Sequence, residues 1–505
     1  VKRALAALSG VLLALAFPRF SLSMVSLIAL VPLLIALKPP HGPVGETVSP
    51  RRAFGLGYIT GAVFFLVLLY WIPLLPPENV TIPFLMYPAL ALMVAYLALY
   101  PALCAALAAW LQRRGVPLGL SFPLTWTLTE ALRGTGTFGF PWGSLGYALA
   151  PLPHLIQFAS LTGVWGVTLW IVLVNGLVHS YLATRWVLPK VTVLLVLIVV
   201  TVAPYQHGRW VLRGSEPSPT VDVGIVQPNV GNEKWQLGVR DSVVMALVER
   251  TEELMTANRG APLALVVWPE TAIPVRLPRE PRYRIMVESL VDSAGVPLLA
   301  GFPDGERLPD GDLRWTNSAA LVLPGRGIVA QYDKRHLVPF SEYFPLPILN
   351  RYDFGQSNFS AGTRPGVFDQ AGVPFGVLIC FESIFPGPAR DLSRNGARYL
   401  VNITNDQWFG DSAAPIQHFE MNILRAIENR MGMARAANTG ISAVITPYGA
   451  VELSTRTFEQ TNVVAPVELG RELTFYARHG DWILAVAAAL LAALIAAALL
   501  RRRAR

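Results

Sequence analysis

The chain has 505 residues, 53% of them hydrophobic and only 15% charged, with a mean hydropathy of +0.45 and a net charge of +8. Soluble domains carry about a quarter charged residues, so a wholly soluble protein is excluded; residues 1–205 and 481–500 hold the deficit, and 206–480 read as an ordinary soluble domain. Two cysteines, Cys104 in an apolar run and Cys380 in the soluble stretch, exclude a disulfide framework, and basic residues gathered at the ends of apolar segments argue against a nucleic-acid surface.

Crossing a bilayer takes about 20 apolar residues, and eight candidate spans follow in order: 4–18, 22–37, 53–75, 84–111, 118–133, 160–183, 189–205 and 481–500. The first is short, but another apolar run follows it with no A-x-A-like cleavage site between, so it is read as a span rather than a signal peptide. With the N-terminus inside, the inner connections hold Lys2, Arg3, Lys38, Arg51, Arg52, Arg113, Arg114, Arg185, Lys190 and the RRRAR tail, whereas the outer ones hold Arg19 and Arg133. The positive-inside bias then puts the domain after the seventh span outside the cytoplasm, a multi-pass placement in the inner membrane with a periplasmic domain. The uncharged outer loop 134–159 carries Phe138, Phe140, Trp142 and Tyr147, suited either to anchoring at the membrane interface or to lipid binding. Glu130 and Arg133, one helical turn apart beside it, are expected to pair with each other.

The membrane domain is thus 1–205, followed by a linker at 206–220 with its GSEPSPT hinge at 214–220. Apolar β-rich runs come next at 223–227, 263–267, 297–301, 319–323, 375–379, 399–403 and 442–446. A helix is predicted over 241–258, capped by Asp241, and another over 415–436. The alternation implies an α/β fold with sheets under helices across 221–466. A second linker at 467–480, a final membrane helix at 481–500 and a basic cytoplasmic tail at 501–505 complete the organisation.

Three polar segments directly follow apolar strands: WPETAIP (268–274), YDKRHLVPFSEYFP (332–345) and CFESIF (380–385). Strand ends are where α/β folds place chemistry. A thiol attacks an acyl carbon only as thiolate, so Cys380 needs a base, which Glu270 could be, and an oxyanion partner, which Lys334 could be, though no spacing rule brings the three together. Each alone has an ordinary structural reading. His336 beside Lys334 is a second possible base. Asn405, Asp406 and His418 read as turn and cap residues more readily than as partners of the site, and Arg425, Glu428 and Arg435 as ion pairs on one helix. No metal-ligand spacing and no nucleotide-type glycine pattern is present, so no cofactor is expected.

WPE, YDK and CFES, in this order, resemble the nitrilase (carbon–nitrogen hydrolase) superfamily, which implies a Glu-Lys-Cys triad on an αββα sandwich. From end to end the chain resembles the apolipoprotein N-acyltransferase family, through GFPWGSLGY (139–147), VQPNVGNEKW (226–235), NDQWFGDSAAPIQH (405–418), RAIENRM (425–431) and ANTGISA (437–443). That resemblance implies Cys380 as nucleophile, Glu270 as general base, Lys334 as oxyanion stabiliser, and Glu342 and Glu382 as further acids. It also implies Trp235 near the substrate entrance, with Trp142 and Phe381 in support. Phe381 stands where the family commonly has Tyr, so a phenolic hydroxyl is not required there. The implied reaction moves an acyl chain from a phospholipid, phosphatidylethanolamine by the resemblance, to the diacylglyceryl-cysteine of an apolipoprotein through a thioester. The competing reading is a membrane-tethered amidase acting on a soluble carbon–nitrogen substrate. The aromatic stretch 340–360 is expected to be a flap that meets lipid, or else a loop covering the core.

Overall fold

The computed structural model describes residues 1–40, 47–76, 82–184, 186–215, 218–258, 262–308, 313–345, 358–370 and 372–503. The chain divides into two compact units: Val1–Leu74 with Phe84–Ser215 and His479–Arg505, and Leu75–Pro83 with Glu216–Arg478.

The first unit is helical: α1 (Lys2–Leu15), α2 (Val31–Leu37), α3 (Pro50–Leu68), α4 (Met86–Leu97), α5 (Leu99–Gln112), α6 (Leu118–Arg133), α7 (Ala159–Ala183), α8 (Val187–Arg213) and a C-terminal helix, Trp482–Arg503. Every predicted span is helical for most of its length. Among the described residues, five stretches are long and apolar enough to cross a membrane: Pro50–Leu74, Pro83–Gln112, Ala159–Ala183, Val187–Arg213 and Trp482–Leu500. The segments at 4–18, 22–37 and 118–133 are shorter; α1 has 14 residues and α6 has 16. Small residues let helices meet closely: a side chain at Gly57 of α3 would fall on the Pro101 carbonyl and lie 2.8 Å from Ala105 Cβ of α5.

Two expectations change here. The helix predicted over 189–205 runs on to Arg213, into the expected linker, because His207, Arg209 and Arg213 end the apolar run without ending helix propensity. Glu130 and Arg133 do not form a salt bridge. Glu130 accepts from Trp126 Nε1 (2.9 Å), Leu145 N–H (2.8 Å) and Thr168 Oγ1 (2.9 Å). Arg133 donates to the carbonyls of Phe140 and Trp142 (2.6 Å each) and to Ser144 Oγ (3.2 Å). A non-helical segment among apolar helices must satisfy its backbone from within, and these charges do so. Residues 141–150 are accordingly buried, Trp142 and Tyr147 among them, while Phe138 is exposed. The interfacial reading of the loop therefore fails for Trp142 and Tyr147.

The second unit holds strands β1 (Thr220–Gln227), β2 (Leu265–Val267), β3 (Leu298–Arg307), β4 (Leu313–Leu323), β5 (Gly327–Asp333), β6 (Val367–Gln370), β7 (Val373–Ile379), β8 (Tyr399–Thr404), β9 (Met433–Ala437), β10 (Ala443–Ile445), β11 (Val451–Ser454) and β12 (Thr461–Glu468). Among the described residues two six-stranded sheets form, ordered β12-β1-β2-β3-β4-β5 and β11-β10-β9-β8-β7-β6. Parallel pairs β1–β2, β2–β3, β7–β8 and β8–β9 lie at their centres. Alternate residues, Val223 and Ile225 of one sheet and Val377, Ile379, Val401 and Ile403 of the other, meet in one buried core. Helices α9 (Arg240–Ala257) and α10 (Pro281–Ala294) cover the first sheet through a second core that includes Val244, Leu247 and Leu290. Helices α11 (Pro386–Arg394) and α12 (Ala414–Asn429) belong to the second sheet's layer, and α13 (Phe475–His479) follows β12.

Asp241 is not the cap of α9. Val239 holds that place, and Asp241, in the first turn, instead accepts from Tyr283 Oη (2.7 Å) and pairs with Arg282 (2.7 Å). The helix predicted over 415–436 stops at Asn429. Arg430 turns the chain at φ 50°, and 433–437 becomes β9, paired with β8 and β10. The ladder on both sides overrides the local preference of MARAA.

Candidate active site

Glu270 lies in the turn that follows β2, where its neighbour Thr271 adopts φ 47°. The turn sits directly on β3: a side chain at Gly301 would strike the Pro269 carbonyl and lie 2.8 Å from Glu270 Cα. Lys334 is the residue after β5 and is 1% exposed. Its Nζ donates to Glu270 Oε1 (3.2 Å) and Glu342 Oε1 (2.9 Å). Asn317 of β4 ties the same carboxylates together, donating Nδ2 to Glu270 Oε1 (2.8 Å) and Glu342 Oε1 (2.9 Å). The outer oxygens are held by backbone: Asn405 N–H donates to Glu270 Oε2 and Val338 N–H to Glu342 Oε2, each at 2.8 Å. Burial opposes the charge on Lys334, but Glu270 and Glu342 outweigh it and push its pKa up, so an ammonium persists.

Cys380 comes directly after β7, half-buried, at φ 50° in the left-handed region. That conformation is a local strain typical of functional turns. Burial raises the thiol pKa, and the negative charge of Glu270 adds to the rise; Lys334 and a hydrogen bond from Thr404 act the other way without reversing it. At rest Cys380 is therefore a neutral thiol.

Glu382, fully buried, braces this turn. Its carboxylate accepts from Tyr332 Oη (2.7 Å), the N–H groups of Arg335 (2.7 Å) and His336 (3.2 Å), and Ile379 N–H (2.8 Å). It joins the strand ends that carry Lys334 and Cys380 and belongs to the scaffold. Phe381 is buried, edge-on to Phe385 at 5.2 Å. His336 lies against Phe385 (5.2 Å), its pKa lowered by burial, and takes no place among the groups that hold Lys334. Trp235 is 41% exposed, next to the buried Lys234. Trp142 belongs to the first unit, stacked with Phe140 and tilted against Trp71. Of the flap expected at 340–360, residues 346–357 lie outside the described residues.

Several roles escaped sequence reading. Asn405 holds the Glu270 carboxylate through its backbone N–H. Behind Cys380, Asp406 Oδ1 bonds His418 Nδ1 (2.9 Å), and His418 Nε2 lies 3.2 Å from the Cys380 carbonyl. Arg435 donates to Asp406 Oδ2 (2.8 Å) and to Asn402, so it pairs off its expected helix, while Arg425 and Glu428 do pair on α12 (2.9 Å). Burial raises the Asp406 pKa, but Arg435 and His418 more than offset this and bring it down to about 2. Cys380, Asp406 and His418 bring donor atoms within 4.8 Å of one another, a grouping that linear spacing hides. The carboxylate and imidazole are engaged with each other and with the Arg435 guanidinium, which stands where a cation would be repelled. Asn317 had one legible signal, its polar place in the apolar run 319–323 extended backwards.

The apolipoprotein N-acyltransferase N-terminal domain family matches residues 9–177, and the carbon–nitrogen hydrolase family matches 223–472. The solved structure of Saccharomyces cerevisiae Nit3, a member of branch 10 of the nitrilase superfamily, is similar with a TM-score of 0.40 at 19% identity, covering 50% of this chain and 92% of that one. An apolipoprotein N-acyltransferase of Geobacter metallireducens is 39% identical over 97% of this chain and 94% of its own length. Another, of Chlorobaculum tepidum, is 32% identical over 98% of this chain and 96% of its own. Two family matches that divide the chain as its helical and sandwich units do, with relatives alike over nearly their whole length, mean that the chain belongs to the apolipoprotein N-acyltransferase family.

Proposed function

We propose that the chain N-acylates the amino-terminal diacylglyceryl-cysteine of apolipoproteins, taking the acyl group from a phospholipid through a thioester on Cys380. N-Acylation of apolipoproteins is the activity that the relatives are named for. The observation that carries the mechanism is the buried Glu270–Lys334–Glu342–Asn317 network, whose charges act on a neutral thiol held at a strained strand end.

Glu270 takes the thiol proton as sulfur bonds to the ester carbonyl carbon, since a resting thiolate is disfavoured. The Lys334 ammonium meets the negative charge that gathers on the carbonyl oxygen. Collapse breaks the ester C–O bond, and the lysophospholipid alkoxide leaves with the proton from Glu270. In the second step the α-amine of the diacylglyceryl-cysteine attacks the thioester. Its proton passes to Glu270 and on to the departing Cys380 sulfur, leaving an amide. One product departs before the second substrate reacts, which is ping-pong chemistry. Phosphatidylethanolamine is the donor that the family resemblance favours. The inner membrane, with the sandwich on the periplasmic side, is the placement that the charge bias supports.

The test is mass spectrometry of Cys380 after mixing with phospholipid, then with a diacylated lipopeptide. A hydroxylamine-labile acyl group on wild type, absent from Cys380→Ala and passed to the lipopeptide, is expected. Acyl release to water with no transfer would instead favour the amidase-like reading. Glu270→Gln is expected to slow acylation about 10²- to 10⁴-fold.

A further inference from the structure

Lys234 is 1% exposed, on the segment that presents Trp235. Its Nζ donates to the Thr271 carbonyl (2.9 Å) and to Thr271 Oγ1 (3.1 Å), both neutral acceptors. An ammonium buried on such acceptors is costly to keep. Thr271 follows Glu270 at φ 47°, a conformation that β-branched residues rarely adopt. The Glu270 turn is thus clamped from two sides, by the Gly301 backbone beneath and by the Lys234 ammonium.

We propose that Lys234 is a positioning residue for the catalytic carboxylate: by gripping both oxygens of Thr271 it holds the left-handed turn that presents Glu270, and it ties that turn to the entrance segment carrying Trp235. The inference rests on the acyl-transfer role of Glu270. Lys234 also offers a signature of its own. Burial brings its pKa down to about 8, while Glu270, across from it, and Glu233, on its own segment, are the charges that pull it up; the Trp235 ring lies 5.2 Å from Nζ. Cys380 and Lys334 are both shifted upward, away from that range. Above about pH 8 the neutral amine still donates but loses charge assistance, which is worth roughly half of such a bond.

The test is thioester formation alone, without acceptor, on the purified full chain and a phospholipid bearing a labelled acyl chain, read from about pH 6.5 to about pH 9.5. Wild type is expected to lose rate several-fold above about pH 8. Lys234→Met is expected to acylate about tenfold more slowly or worse, with an unchanged KM for phospholipid and no alkaline fall. Lys234→Arg, charged throughout, is expected to keep its rate to the alkaline end. A Lys234→Met enzyme with the wild-type rate and profile overturns the inference. Should that variant not fold, identical alkaline limbs in wild type and Lys234→Arg overturn it. A wild-type chain that forms no thioester, like Cys380→Ala, overturns the acyl-transfer reading and this inference with it; a wild-type chain that acylates normally while Lys234 variants match it overturns this inference alone.

Discussion

At the scale of single residues, the site separates the storage of charge from its use. Lys334 keeps its proton because two carboxylates surround it, and Cys380 keeps its proton because burial and one of those carboxylates disfavour the thiolate. In the proposed mechanism proton removal is therefore coupled to attack. Alkylation of Cys380 by iodoacetamide is expected to be slow at neutral pH and to keep rising past the ordinary thiol pKa of about 8.5. The sign follows from the upward shift: below the raised pKa the thiol form prevails, and each rise in pH adds thiolate. Glu270→Gln removes the opposing charge and should hasten alkylation even as it slows acylation, a split that a damaged fold does not produce. Asn317→Ala removes one of the two bridges between Glu270 and Glu342, leaving Lys334 alone to hold them, and is expected to lower kcat about 10²-fold with little change in KM, since misplacement of about 1 Å costs that much. Phe381 acts through packing, so Phe381→Ala should lose about 3 kcal/mol of stability, measured by denaturant unfolding, whereas Phe381→Leu should retain most activity.

At the scale of elements, strand ends bring the groups together and the helices hold the strands. Glu270 follows β2, Lys334 follows β5 and Asn405 follows β8, so three strand ends contribute to one hydrogen-bond network, and Cys380, after β7, feels the charges of Glu270 and Lys334. The clearance between β3 and the Glu270 turn is set at Gly301. Gly301→Ala is expected to cut acylation by more than its change in thermal midpoint explains, because the added methyl group meets the Pro269 carbonyl and the Glu270 backbone. Asp406 and Arg435 join the end of β8 to β9 behind Cys380, with His418 from α12 between them. A carboxylate brought down to about 2 stabilises the fold fully above its unfolded pKa of 3.8 and loses that contribution as pH falls toward about 2. The thermal midpoint should therefore drop between about pH 4 and about pH 2, by the equivalent of about 2 kcal/mol, and the drop should shrink in Asp406→Asn. The neighbouring pair Arg425–Glu428, with both side chains fully buried, is a further dependence of this layer: Arg425→Ala leaves a buried carboxylate and is expected to cost about 3 to 5 kcal/mol.

At the scale of the whole molecule, the sandwich is joined at both ends to helices of the membrane unit, after Arg213 and before Trp482. Both proposed substrates keep acyl chains in a bilayer, so confinement to the same surface raises the effective concentration of reactants. The charge bias makes a prediction about sidedness. In a Cys104→Ala, Cys380→Ala background, a cysteine replacing the exposed Leu237 is expected to react with a membrane-impermeant maleimide in intact spheroplasts. One replacing Arg51 is expected to react only after permeabilisation. The reverse pattern would put the thiol chemistry on the cytoplasmic side and remove the lipoprotein reading.

Composition and order were enough to separate helices that meet lipid from a soluble α/β unit, because hydropathy acts over windows of about 20 residues and survives in any packing. The places of the three residues that the resemblance singles out were legible as well: Lys334 and Cys380 stand directly after β5 and β7, and Glu270 lies in the turn that follows β2, where a short motif keeps its neighbours. Edge strands such as β5, β6, β11 and β12 were not legible, nor was β9, whose helical residues are drawn into a sheet by partners on both sides. The partners of Glu130 and Arg133, the bridge at Asn317, the Asp406–His418–Arg435 group and the Lys234 clamp join residues far apart in the chain. Only folding brings such groups within about 3 Å, and the need to satisfy each buried charge, which no linear pattern records, decides which of them meet.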